Sequence, residues 1–369
     1  MELYVFDLAF NRLGLIDDFV EVERLIKYDS LGRLDITLDA SSEFLELLQI
    51  DRILTTTKDL SRGYIIKTRQ SLDEHSSKLQ IIAPSLNVML KARLVLGQQE
   101  FTGSIENVMK SFVLMNAVQP VNPNRIIPNL VLSESRGIPI ETTEGTVNQP
   151  LDEYLYELCK KHDVSFDILL DHENKKFVFD VWQGTDRSVG QSVHNPVIFA
   201  KEFDNVLKQD YTESISDLKT TAIVLGEDAQ GQPGFMVTVN DEQTGLDRKE
   251  ILLEGYDIKR TYLNEKGNEI ILSDGEYSRM LEEKGKNLIS EYPLIRTLES
   301  EVDGQANFIY GVDYFMGDKV SVRNDDLNLI LHTRIISVSE KENKQGESLQ
   351  LNFGSNIPSF IDKVKRAVK

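Results

Sequence analysis

Cysteine is almost missing from the chain. Cys159 stands alone among 369 residues, which excludes an intrachain disulfide and a zinc site built on cysteines. Positive charge is also in short supply: 41 Lys and Arg face 60 Asp and Glu, a net charge of −19. General affinity for nucleic acid needs a basic footprint, and docking on anionic lipid needs one too, so both are disfavoured. No segment approaches the ~18 apolar residues of a membrane span, and no membrane insertion is expected. The opening MELYVFDLAF carries Glu2 and Asp7 where a secretion signal has a basic end and an apolar run, so synthesis and folding in a cytoplasm are expected.

Catalytic signatures are missing as well. The sequence has no GxSxG elbow, no GxxxxGK[ST] or GxGxxG phosphate loop and no HExxH pair. Among the histidines His75, His162, His172, His194 and His332, two adjoin acids, as His162-Asp163 and Asp171-His172. Both pairs lie in or beside predicted turns and read as solvated loop residues rather than metal ligands. Asp152-Glu153 and Glu282-Glu283 are sequence neighbours on predicted helices, so each pair diverges and cannot face one glycoside from two sides. Cys159 falls on the apolar side of a helix, the setting of a buried small hydrophobe rather than of a nucleophile. The expectation is a protein that is not an enzyme, with no metal and no cofactor.

What remains is a globular composition, 40% hydrophobic and 27% charged, on a chain long enough for two or three domains. The fold class expected is α+β, mainly β. In GRLDITLDA, Leu34, Ile36 and Leu38 alternate with Arg33, Asp35 and Thr37, and RILTTT, GYIIKTRQ and SKLQIIAP follow as further strands. SEFLELLQI and SLNVMLKARLV suggest short helices. In GSIENVMKSFV, Ile105, Val108, Met109 and Phe112 fall at helical spacing behind Thr102 or Ser104 as N-cap. NQPLDEYLYELCKKHD predicts a second long helix, with Leu151, Tyr154, Leu155 and Leu158 on one face, acids leading and lysines closing. VSFDILLDHENKKFVFDVW predicts a hairpin turning at HENK. GEYSRMLEEKGKNLISEY predicts a third helix with Met280, Leu281 and Leu288 inward. The domains expected are a small β-barrel over 1–98, an inserted α+β domain over 99–195, a second barrel over 196–355 with an insertion at about 226–295, and a basic tail over 356–369.

One sentence is written twice. Ile65–Ile81 and Ile335–Leu351 both open on Ile-Ile and close on Leu-Gln plus an aliphatic, and Ile66 to Gln80 spans the same distance as Ile336 to Gln350. Upstream, Asp51-Arg52-Ile53 echoes Asp318-Lys319-Val320. A duplicated barrel, whose hairpins superpose, is the expectation. In a cyclic trimer it would give six similar units about the axis, enough to mate a three-fold object to a six-fold one.

The stretch WQGTDRS holds the single tryptophan, Trp182, at the end of a strand entering a turn, with Asp186 placed to cap and Arg187 to bridge to a carboxylate or carbonyl. Gly184, Asp186, Arg187 and Ser188 are followed by Asn195-Pro196-Val197-Ile198-Phe199 and then Phe203-Asp204-Asn205. This order resembles the tail-hub family of siphophages and prophages. So do VFD…LGLIDDF, GRLDITL, IDRI…GYIIK, LKARLV and GDKVSVRN…TRIISVSE…LQLNFGS. That family is similar to the baseplate hub of contractile-tailed phages. The resemblance implies a homotrimeric ring in the virion, at the tail tip, with the tail tube or distal tail protein above and a tip or receptor-binding protein below. It implies DNA passing through the ring without specific binding, which an acidic wall would favour by repelling phosphate. It offers no catalytic residues, and a chain stopping at Lys369 is not expected to carry the peptidase, lysin or host-binding extension of longer relatives. The competing expectation is a carbohydrate-active or host-wall-binding tail protein acting through the middle domain.

Overall fold

The computed structural model describes residues 1–39, 41–71, 78–228, 230–263, 269–302 and 307–354. The basic tail and the loop of the first repeated hairpin lie outside them. Strands account for 48% of the chain and helices for 19%, which places the fold in the mainly β class.

The chain forms two compact units, one built from Met1–Tyr211 with Leu298–Ser355 and the other from Thr212–Thr297. The first contains most of a ten-stranded sheet, whose order is Val206–Ser214, Ile295–Val302, Gly346–Gly354, Leu329–Asn343, Glu21–Lys27, Arg33–Asp39, Lys78–Pro84 and Thr68–Ser71, with Lys319–Asn324 and Ile198–Phe199 branching from the long Leu329–Asn343 strand. Alternation creates its buried face. In Arg33–Asp39, Leu34, Ile36 and Leu38 point inward while Arg33 and Asp39 face solvent, and Lys78–Pro84 buries Leu79, Ile81 and Ala83 against them. A seven-stranded sheet runs Leu130–Leu132, Lys176–Trp182, Ser165–Asp171, Asp59–Ile65, Ile53–Thr56, Leu3–Phe6, Arg12–Ile16. All four residues of Ile53–Thr56 are buried, the mark of a strand covered on both faces. Among the described residues each sheet is an open path and neither closes on itself.

Two helices, α2 (Ile105–Val113) and α3 (Leu151–His162), pack with the Ser165–Asp171/Lys176–Trp182 hairpin into the largest core, after a short α1 (Ser42–Leu47). Ser104 caps α2 by accepting the Asn107 N–H, and Phe112 sits edge-on to both Phe101 and Tyr154 at 4.7 and 4.9 Å. The Leu94–Ser104 strand pairs with Glu141–Pro150 in a two-stranded ribbon.

In the second unit α4 (Asp274–Ser290) opens with a Ser273/Glu276 capping box and covers the three-stranded sheet of Thr221–Glu227, Pro233–Val239 and Glu250–Glu254. Its buried face is Tyr277, Leu281, Gly285 and Leu288, with the expected Met280 only half-buried. The turn that Gly285 contributes lets the helix lie close to the sheet, since a Cβ there would come within 2.7 Å of Val239 Cγ2.

Candidate functional site

The residues singled out in the sequence gather where the segment after Trp182 meets the strand that starts at Lys319. Gly184 makes the approach possible: a Cβ on it would lie 1.8 Å from the Gly317 carbonyl oxygen and 2.8 Å from the Asp318 nitrogen. Only a bare backbone fits there. The two segments then exchange main-chain hydrogen bonds, Arg187 N–H to Lys319 O at 2.7 Å and Lys319 N–H to Thr185 O at 2.9 Å. Ile198–Phe199 joins in parallel beside Ser321 and Val322.

Asp318 holds this junction. The residue is 2% exposed, and its carboxylate accepts the Thr185 N–H at 2.8 Å, the Arg187 Nε–H at 2.9 Å and the Phe315 N–H at 3.0 Å. A buried carboxylate needs such partners, and the Arg187 guanidinium supplies the opposite charge. Asp186 turns the other way and accepts from the Ser188 N–H and Oγ at 2.9 and 2.6 Å; these bonds hold its carboxyl below the usual carboxylate range. Asn205, 1% exposed, accepts the Ala200 N–H and donates to Ile198 O, closing the loop in which Asp204 adopts φ 53°. Phe203, Asn195 and Pro196 are exposed.

An aromatic and charged layer lies against this junction. Trp182 meets Tyr28 edge-on at 5.2 Å and donates Nε1–H to Asp167 at 2.9 Å, where Arg62 also donates at 2.9 Å. Arg334 stacks on Tyr28 at 4.9 Å, pairs with Asp163 and donates to Gly317 O. Asp167 holds the Arg62 guanidinium above its ordinary pKa, and burial raises Tyr28 and Tyr64. The Cys159 thiol is likewise pushed up by burial, which keeps it protonated and poorly nucleophilic. Among the described residues no three His, Cys, Asp or Glu side chains are grouped to hold a metal ion. What the arrangement does chemically is fix one backbone segment against another.

The two repeated stretches both fold as antiparallel hairpins in the ten-stranded sheet, on either side of the Glu21–Lys27/Arg33–Asp39 pair. Their registers differ by one residue. Gln80 faces Gln70, whereas Gln350 faces Ser339, and the long strand also carries a bulge between Ile335 and Ser337. Ile66 and Ile336 are both buried. The aspartates part company. Asp51 N–H donates to Ile66 O and its exposed carboxylate meets Lys67 at 2.6 Å, while Asp318 is the buried acceptor described above.

His162 is not the solvated loop residue expected. Its Nε2 lies 2.6 Å from Glu144, a carboxylate 3% exposed that Lys161 also reaches. The α3 terminus places both side chains against the ribbon, a contact with no local signature. Tyr28, Arg62, Asp167 and Arg334 also went unsignalled, since their partners lie far away in sequence.

Replacing Arg187 and Asp318 singly and together by Ala should give a coupling of about 2 kcal/mol in urea unfolding, since each single change strands a buried partner. Additive effects would show that the pair is not coupled.

Several solved structures share this fold. The prophage tail protein gp18 from Listeria monocytogenes matches at 12% identity with a TM-score of 0.54, covering 100% of this chain and 98% of that one. The 43 kDa tail protein of prophage MuSo2 from Shewanella oneidensis matches at 13% identity and TM-score 0.57, covering 96% and 98%. A tail protein from Neisseria meningitidis matches at 11% and 0.58, covering 96% of each chain. At such identities the likeness concerns the fold. No curated protein matches in sequence at a significant level. A family model does match, over residues 2–355, a span that includes every motif on which the resemblance to phage tail proteins rested. The chain belongs to the family of siphovirus ReqiPepy6 Gp37-like proteins.

Proposed function

We propose that this protein is a structural component of a phage or prophage virion, a baseplate hub in which three copies form a ring at the tail tip. The ring joins the six-fold tail tube to the tip or receptor-binding apparatus and continues the DNA channel. The observation that carries the reading is the placement of the two hairpins in one sheet. A strand precedes each, Ile53–Thr56 paired with Asp59–Ile65 in the seven-stranded sheet before the first and Lys319–Asn324 paired with Leu329–Asn343 before the second, so each chain offers two similar hairpins. In three copies they would make six, the number a hexameric tube presents. The edges at Thr68–Ser71 and Val206–Ser214, which are open among the described residues, support it further, because edge strands invite pairing with another chain. On this reading the two hairpins belong to barrel-type domains completed between copies, with the α2–α3 region as the insert between them. The motif residues from Gly184 to Asn205, with Asp318, act as the clasp that fixes Lys319–Asn324, the strand before the second hairpin.

Images of tails carrying this protein should show a three-fold ring with an axial hole at the tip, labelled by an antibody to the chain. Label along the tail shaft, or a tip density without three-fold symmetry, would sink the hub reading.

A further inference from the structure

On a chain that is 27% charged, residues 114–132 contain a single ionisable side chain, Arg125, and residues 94–99 contain none. These two segments form one surface. Arg93 donates to the carbonyls of Arg125 and Ile126, Arg125 donates to Leu94 O, and Gln99 bonds both Leu96 O and Asn116. Apolar side chains stand exposed across it: Val121 at 95%, Leu96 at 50%, Leu94 at 48%, Ile126 at 43% and Met115 at 42%. Depletion of charge with Met, Arg and exposed aliphatics is the composition of an interface centre. The two arginines engage backbone carbonyls rather than carboxylates. Burial and the neighbouring Arg125 charge depress the pKa of Arg93.

Two such faces meeting would bring the arginines of both copies together with no acid to offset them, a like-charge cost. Charge complementarity therefore favours a head-to-tail contact, with a different and acidic surface as complement. The same compact unit carries one, a hollow of about 390 Å³ with Leu207, Val302, Ile309 and Leu349 in its wall and Glu301 exposed among them. Its cations, Lys58, Lys341 and the Met1 ammonium, are engaged by Glu347, Glu21 and Glu342, which leaves Glu301 outside these pairs, while Leu207 is 63% exposed.

We propose that the charge-poor face around Arg93 and Arg125 of one copy seats in the Leu207–Glu301 hollow of a second copy of this chain. The proposal rests on the ring reading and names the surfaces that would close it.

The test is analytical ultracentrifugation of the full chain over a wide concentration range. The chain should self-associate. Val121→Asp, Ile126→Asp and Leu207→Asp should each raise the dissociation constant about tenfold or more, the effect of losing a well-packed interface residue. Leu246→Asp, at an equally exposed site in the other compact unit, should change nothing. Pairing Arg125→Glu with Glu301→Arg should restore association that either change alone weakens. Unchanged association in the Val121, Ile126 and Leu207 variants, or a chain monomeric throughout, overturns the proposal. A three-fold ring in tail images alongside that result would leave the ring reading standing and remove only this interface.

Discussion

Gly184→Ala should lose most of the stability of the first compact unit, about 4 kcal/mol or more, the range of the most disruptive single substitutions. The added methyl would lie 1.8 Å from the Gly317 carbonyl oxygen, far inside any van der Waals contact, and the neighbours are main chain rather than the end of a flexible side chain. Gly317 has no room to retreat. It sits at φ 85°, and a Cβ on it would touch Trp182 and Tyr28 within 2.6 and 2.7 Å. The strand at Lys319 must therefore separate from the Thr185–Arg187 segment, which strands Asp318 and Arg187 in the interior. Trp182 is the single tryptophan and lies at this junction, so its fluorescence reports the transition directly. Gly275→Ala, at a helix position where a Cβ meets nothing within 4 Å, should leave that transition where it was. A wild-type urea midpoint for Gly184→Ala would show that the two segments do not approach as described.

Glu106→Gln should cost about 3 kcal/mol at neutral pH, in the range for breaking a buried ion pair. Glu106 is 0% exposed and gathers the Lys110 ammonium at 2.7 Å, Ser135 Oγ at 2.9 Å, and the Arg136 and Gly137 N–H groups at 2.8 and 3.1 Å. It thus ties α2 to the loop after Leu132. Burial pushes its pKa up, but the bonds from Lys110, Arg136 and Ser135 outweigh that and bring it to about 2, from 4.5 when unpaired. A carboxyl with a depressed folded pKa stabilises fully above its unfolded value and loses that contribution as pH falls, here between about 4.5 and about 2. The shift corresponds to about 3 kcal/mol. Wild type should therefore weaken steeply over that window, and Glu106→Gln should lack this part of the dependence. Adding Lys110→Met should recover stability, because the stranded ammonium goes with it. Equal acid sensitivity in wild type and Glu106→Gln would remove Glu106 from the account.

Local structure was legible wherever one side chain pattern decides it. Ile105, Val108, Met109 and Phe112 mark one helix face, and all four are buried. Leu151, Tyr154, Leu155 and Leu158 do the same for α3, and HENK does turn between Asp171 and Lys176. The Glu106–Lys110 pair was also within reach, since a Glu four residues before a Lys on a helix is a recognisable pattern. Its burial was not, because the loop that covers it arrives from residues 133–137. The one-residue register difference between the two hairpins was equally hidden. Register is set by how two strands align across the ladder, and nothing in the spacing of Ile336 and Gln350 along the chain distinguishes one alignment, or a bulged strand, from another.

By itself the sequence determined the class of protein. Alternating and helical periodicities set which face of each element is buried, the single cysteine and the acid excess excluded whole chemistries, and the ordered motifs pointed to phage tail proteins. Tertiary structure alone decided who meets whom. Arg187 finds Asp318 across 131 residues, and Gly184 finds the Gly317 carbonyl beside it. The physical reason is range. Periodicity records the environment of each residue relative to its own neighbours, whereas an ion pair or a backbone approach is selected by packing many distant segments at once.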